Sequence, residues 1–142
     1  MSFLRGFKKQ SVDLSKLGLD ESCLDLLYDL AIYGAVRSYF IHSDTILNAM
    51  LAVRPDSERV RIGMGLLALG RANYSKAEEV FKDDLLKLNP NSDFAKAYLG
   101  LTYKCTSKFD DARKYFNEVI ASSKEPSLIA LSKSCLEQID KR

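Results

Sequence analysis

The chain is poor in the side chains that carry chemistry. Its 142 residues include one histidine, His42, and three cysteines, Cys23, Cys105 and Cys135. The cysteines are odd in number, far apart and never in a C-x-x-C pair. That argues against a disulfide framework or a zinc site, and for free, partly buried thiols in a reducing compartment. His42 has no cysteine or acidic cluster at metal-ligand spacing, and a cysteine nucleophile would need a base beside it. No phosphate loop is present, and Gly63 and Gly65 fall inside a helical pattern as close-packing sites. No catalytic role, cofactor or metal is expected. There is no tryptophan, and strand signals are essentially absent. Long apolar runs are missing as well. The longest, residues 26–36, is broken by Asp29 and is far shorter than a membrane span. Residues 1–9 hold basic residues beside Phe3, Leu4 and Phe7, but no stretch of signal-peptide length follows. The end, with Glu137, Asp140, Lys141 and Arg142, offers no tail anchor. A formal charge of +2, evenly spread, gives no nucleic-acid footprint. Arg54, Arg59 and Arg61 are interleaved with Asp56 and Glu58. The expectation is a cytoplasmic protein with neither membrane nor nucleic acid as partner.

What is present is a repeat. Tyr39, Tyr74 and Phe109 recur at about 35 positions, as do His42, Ala77 and Ala112, and Ile46, Phe81 and Phe116. Pro55-Asp56-Ser57-Glu58 is echoed by Pro90-Asn91-Ser92-Asp93, and then by Pro126-Ser127. Each proline pushes the preceding residue out of helical geometry, and Ser57 and Ser92 stand where an N-cap is wanted. Val60, Met64, Leu67 and Ala68 have helical spacing, as do Ala95, Tyr98, Leu99 and Thr102. Residues 70–73 and 106–108 read as tight turns between paired helices. The second helices follow over residues 75–88 and 109–122. A worn first repeat spans residues 21–37 and resumes after Ser38 to residue 53. A last helix, residues 127–139, carries Ile129, Leu136 and Ile139 to lay on the third repeat as a cap. The aromatics Tyr74, Tyr98, Tyr103, Phe109, Tyr115 and Phe116 fall at repeat-core positions. The expected fold is all-α: three helix pairs in a short solenoid plus a C-terminal capping helix. Residues 1–18 have no period and are expected to be a flexible arm, with the repeat domain over residues 19–142.

The pattern resembles the tetratricopeptide repeat. Leu99-Gly100, Tyr103, Ala112, Phe116 and Pro126 carry the likeness in the third unit. Met64-Gly65, Ala68, Ala77, Phe81 and Pro90 carry it in the second. The signature tryptophan is missing throughout, and the first unit has His42 where alanine is expected. Across residues 24–140 the runs Leu30-Ala31-Ile32-Tyr33-Gly34, Leu51-Ala52-Val53-Arg54-Pro55-Asp56-Ser57 and Arg61 through Ala77 resemble the small chaperones of the type III secretion needle subunit. That resemblance implies a compact three-repeat protein that holds the needle subunit in the bacterial cytoplasm, with a second, small helical co-chaperone completing the complex.

In tetratricopeptide arrays the first helix of each pair lines the concave face. That register places Leu24, Leu27 and Ala31 there from the first repeat. The second supplies Ile62, Leu66 and Leu69, and the third supplies Phe94, Ala97, Leu101 and Cys105. Nearly all are apolar. An acidic C-terminal peptide would need basic and amide side chains instead, and only Arg59 and Lys104 stand at the rim. An apolar groove suits an amphipathic helix laid lengthwise. The other reading is ordinary core, covered by the N-terminal arm or the last helix. The function expected first is capture of an amphipathic helix of the needle subunit, which prevents its premature polymerisation. The alternatives are a chaperone of secreted translocator proteins and a scaffold adapter in a larger assembly.

Overall fold

The computed structural model describes residues 20–141 together with Lys16 and Gly18. The expectation of a flexible arm over residues 1–18 falls, apart from Lys16 and Gly18, outside the described residues. Those described are all-helical, without strands. They form α1 (Glu21–Val36), α2 (Phe40–Val53), α3 (Glu58–Gly70), α4, α5 (Asp93–Cys105), α6 (Phe109–Ser122) and α7 (Pro126–Asp140). Helix α4 opens as Tyr74–Glu78, passes through a π-helical stretch, Glu79–Leu85, and closes as Leu86–Leu88. Helices α1/α2, α3/α4 and α5/α6 pair, and α7 packs on α6 and α5.

Local chemistry sets the boundaries. Asp20, Ser57 and Ser92 each accept, through a side-chain oxygen, the backbone N–H three residues on, at 3.0, 3.2 and 3.2 Å. Each satisfies a donor that the first helical turn leaves without an intrahelical partner. Pro126 occupies the first position of α7, where its missing N–H costs nothing. The first helix of every pair ends alike. Ser38, Ala72 and Ser107 take φ of 65°, 55° and 61°. The next N–H then reaches five residues back, from Tyr39 to Gly34, Asn73 to Ala68 and Lys108 to Tyr103, at 2.7, 2.8 and 2.8 Å. This is the Schellman closure, made here without glycine at the left-handed position.

The interior is built on these pairs. Leu24, Ala31, Leu47, Met50, Val60 and Leu67 form one buried cluster between the first and second pairs. Ala77, Phe81, Leu85, Leu99, Tyr103, Ala112, Phe116, Cys135 and Ile139 belong to the larger cluster that runs on to α7. The capping helix lays down Leu128, Ser132, Cys135 and Ile139, with Leu136 packed against the main core. Ile129, expected on this face, is only half-buried.

The first repeat departs from its expected register by one residue. His42 is exposed, and Ser43 is buried, its hydroxyl donating to the Ala31 carbonyl at 2.7 Å. Leu47 rather than Ile46 is fully buried at the position of Phe81 and Phe116. Phe40, not Tyr39, opens the second helix as Tyr74 and Phe109 do. The reason lies in α4. Buried residues are three apart in α2 (Leu47, Met50) and in α6 (Phe116, Val119), but four apart in α4 (Phe81, Leu85). The underlying period is therefore 34, and α4 holds one extra residue. The π stretch accommodates that residue without turning Leu85 off the core.

Candidate partner-binding face

Helices α1, α3, α5 and α7 lie side by side, so their free sides share one face. On α3, Ile62, Leu66 and Leu69 are half-buried. On α5, Leu101 is half-buried, Phe94 is 41% exposed and Cys105 is exposed at the helix end. Helical spacing puts these six on one side of their helices. The other four expected residues are placed differently. Leu24 and Ala31 are inside the first core cluster. Ala97 is fully buried with Val119 and Leu128 under α6 and α7. Leu27 is exposed. The residues of α1 that stand 34 positions before Ile62 and Leu66 are Tyr28 and Ile32, and both are half-buried. A 34-residue spacing would have found them; the 35-residue spacing points to their inward neighbours.

Aromatic and charged groups concentrate where the first two repeats meet. The guanidinium of Arg59 donates to Asp25, lies 3.4 Å from Asp29 and sits 4.1 Å from the centre of the Tyr28 ring. Its charge is thus spent within the protein. Gly63 lets Tyr28 lie directly on α3: an added Cβ would come within 3.0 Å of the Tyr28 ring and 3.1 Å of Leu47. Burial pushes the Tyr28 phenol above its ordinary pKa, and Arg59 partly offsets this. Tyr98 stacks on Phe81 at 5.8 Å and on Phe94 at 6.4 Å, which makes an aromatic ladder from core to solvent. Burial raises its phenol pKa too. At the other end, Lys104 Nζ donates to Gln138 Oε1 at 2.6 Å.

A cavity of about 460 Å³ opens between the start of α1 and the α2–α3 turn, over Leu24, Met50 and Val60. Two ion pairs, Glu21–Arg54 and Asp25–Arg59, rim it. The outer side of α1 is apolar as well. Leu26, Leu30 and Tyr33, at i, i+4 and i+7, are 70%, 53% and 59% exposed. Among the described residues, no helix is long and apolar enough to cross a membrane. No group of three His, Cys, Asp or Glu side chains there could hold a metal ion.

No protein-family model matches the chain, and no curated protein does. Among solved structures, a chain of the CopN–Scc3 complex is similar at a TM-score of 0.68 and 15% identity. The match covers 96% of this chain and 83% of that one. At that identity the likeness is one of fold: a paired-helix array of this kind also occurs in a protein solved as part of a complex.

Proposed function

We propose that this chain is a cytoplasmic chaperone of bacterial type III secretion. In this reading it holds an amphipathic helix of the needle subunit along the α1–α3–α5 face and so prevents premature polymerisation. The observation that carries the proposal is the run of half-buried apolar side chains, Ile32, Ile62, Leu66 and Leu101, ending at the exposed Phe94. A subunit that polymerises through an apolar helix must hide that helix until export, and a matching apolar groove hides it. The likeness to a chain of the CopN–Scc3 complex supports a role in binding another protein. A small helical co-chaperone completes the assembly by covering Leu26, Leu30 and Tyr33, since apolar patches of this kind mark partner sites. The reading assigns the chain no enzymatic step.

The test is capture of the needle subunit on co-expression. Leu66→Glu and Leu101→Glu are expected to abolish it while circular dichroism stays helical. A carboxylate trapped unpaired against an apolar helix costs several kcal/mol, roughly the full stability of a micromolar complex. Continued capture by both variants would place the site elsewhere. Loss of helicity in both would make these leucines core rather than groove.

A further inference from the structure

The groove proposed above contains a tyrosine hydroxyl, that of Tyr98, with no hydrogen-bond partner among the described residues. Tyr98 is half-buried, and its ring is fixed between Phe81 and Phe94. Its hydroxyl makes no hydrogen bond among the described residues, whereas the Tyr103 hydroxyl donates to Glu78 Oε1 at 3.1 Å. Tyr98 stands four residues after Phe94 and three before Leu101, on the groove side of α5, and Tyr28 is the tyrosine that α1 places on the same face. Tyr28, however, has Arg59 against its ring. Tyr98 therefore presents a free donor and acceptor on the α5 side of the groove, on a ring with two stacking contacts.

Resting on the groove reading, we propose that the guest helix carries one hydrogen-bonding side chain within its otherwise apolar face, seated on the Tyr98 hydroxyl. A wholly apolar helix would cover that hydroxyl and strip its water without replacing it, which is unfavourable. An asparagine, glutamine or serine at the same level restores the bond. Every other register of the helix leaves two polar groups unpaired. A single buried asparagine fixes register in coiled coils by the same logic, at some cost in stability. The group thus selects both the partner and its alignment.

The probes are fluorescent amphipathic helical peptides of about 18 residues, or five turns. One has an all-leucine face, and the others carry a single asparagine stepped through each apolar position. Binding is measured by anisotropy to the full chain, to Tyr98→Phe and to Tyr103→Phe. Tyr98→Phe keeps both stacking contacts, and circular dichroism checks its fold. At one asparagine position, Tyr98→Phe is expected to weaken binding about fivefold, the ordinary effect of one lost hydrogen bond. The all-leucine peptide should bind Tyr98→Phe at least as well as the wild type, and Tyr103→Phe should change nothing at any position. If the peptides bind but Tyr98→Phe has no position-dependent effect, the inference fails and the groove stands. If no peptide binds the wild type, the groove reading and this inference both fall.

Discussion

Gly65 and Gly100 each sit directly against a fully buried aromatic ring. A Cβ on Gly65 would lie 2.4 Å from the fully buried Phe81 ring, and one on Gly100 would lie 2.8 Å from Phe116. Neither ring has space to retreat into. Gly65→Ala is expected to destabilise the chain by about 1–3 kcal/mol, the usual range for overpacking, read from denaturant unfolding. Ala72 runs the opposite way. Its Cβ is held at φ 55°. The left-handed penalty of about 1–2 kcal/mol exceeds the roughly 0.5–1 kcal/mol that glycine loses in chain entropy. Ala72→Gly should therefore stabilise by up to about 1 kcal/mol on the same assay. Tyr103 adds a pH dependence. Burial first, and then its bond to Glu78, raise its phenol above the ordinary 10.0. The unfolded chain loses that proton first, so Tyr103's contribution is complete below about pH 10 and drains away as pH rises further. An alkaline melting series should show a shallower fall for Tyr103→Phe than for the wild type; parallel falls would refute the assignment. Features at this scale were legible where the chemistry is local. Ser57 and Ser92 announce their caps because a hydroxyl before an acidic first turn has few other uses. Tyr98 did not announce its free hydroxyl, because pairing depends on what other helices bring near.

At the scale of the element, α4 explains both what could be read and what could not. Helix number, order and ends followed from prolines, capping serines and turn residues, each acting within a few positions. The groove register of the first repeat depended on carrying a spacing backward through α4. The second-to-third offset is 35 only because α4 holds an additional residue, so that offset points to Leu24, Leu27 and Ala31 in place of Asp25, Tyr28 and Ile32. Nothing nearby exposes the addition, since Leu85 and Leu86 are both leucine and either could face inward. This account of the π stretch predicts an unusual tolerance. Deleting a residue from a helix normally turns everything beyond it by about 100°. Deleting the exposed Asp83 should instead bring α4 into the three-residue spacing of α2 and α6. The melting temperature is expected to hold or rise. Deleting the equally exposed Asn117 from α6 should swing Val119 out of the core and unfold the chain. Equal damage from both deletions would show that the π stretch is not an inserted residue.

At the scale of the whole molecule, the described residues present the proposed groove and the apolar outer side of α1, and magnitudes separate their consequences. Burying what remains exposed of Leu26, Leu30 and Tyr33 is worth roughly 3–5 kcal/mol in all, at about 1.5–3 kcal/mol per fully exposed side chain. Immobilising a partner costs about 4–15 kcal/mol before any gain appears. Three side chains alone therefore support only weak self-association, whereas a shaped partner helix adds the area needed for a stable complex. Arrays of stacked helix pairs need a polar outer surface on the terminal pair, and α1 does not supply it. We expect the chain alone to populate oligomers as its concentration rises, and to become a defined heterodimer with a higher melting temperature when the proposed small helical co-chaperone is supplied. Leu26→Gln with Leu30→Gln should abolish both the self-association and the co-chaperone's effect. Groove peptides should still bind this variant, because Tyr28 and Ile32 lie on another side of α1. Light scattering across a concentration series, with melting curves in the presence and absence of the co-chaperone, decides the matter. A wild-type chain that stays monomeric throughout, and whose melting temperature the co-chaperone does not change, would leave the α1 face with no partner to hide.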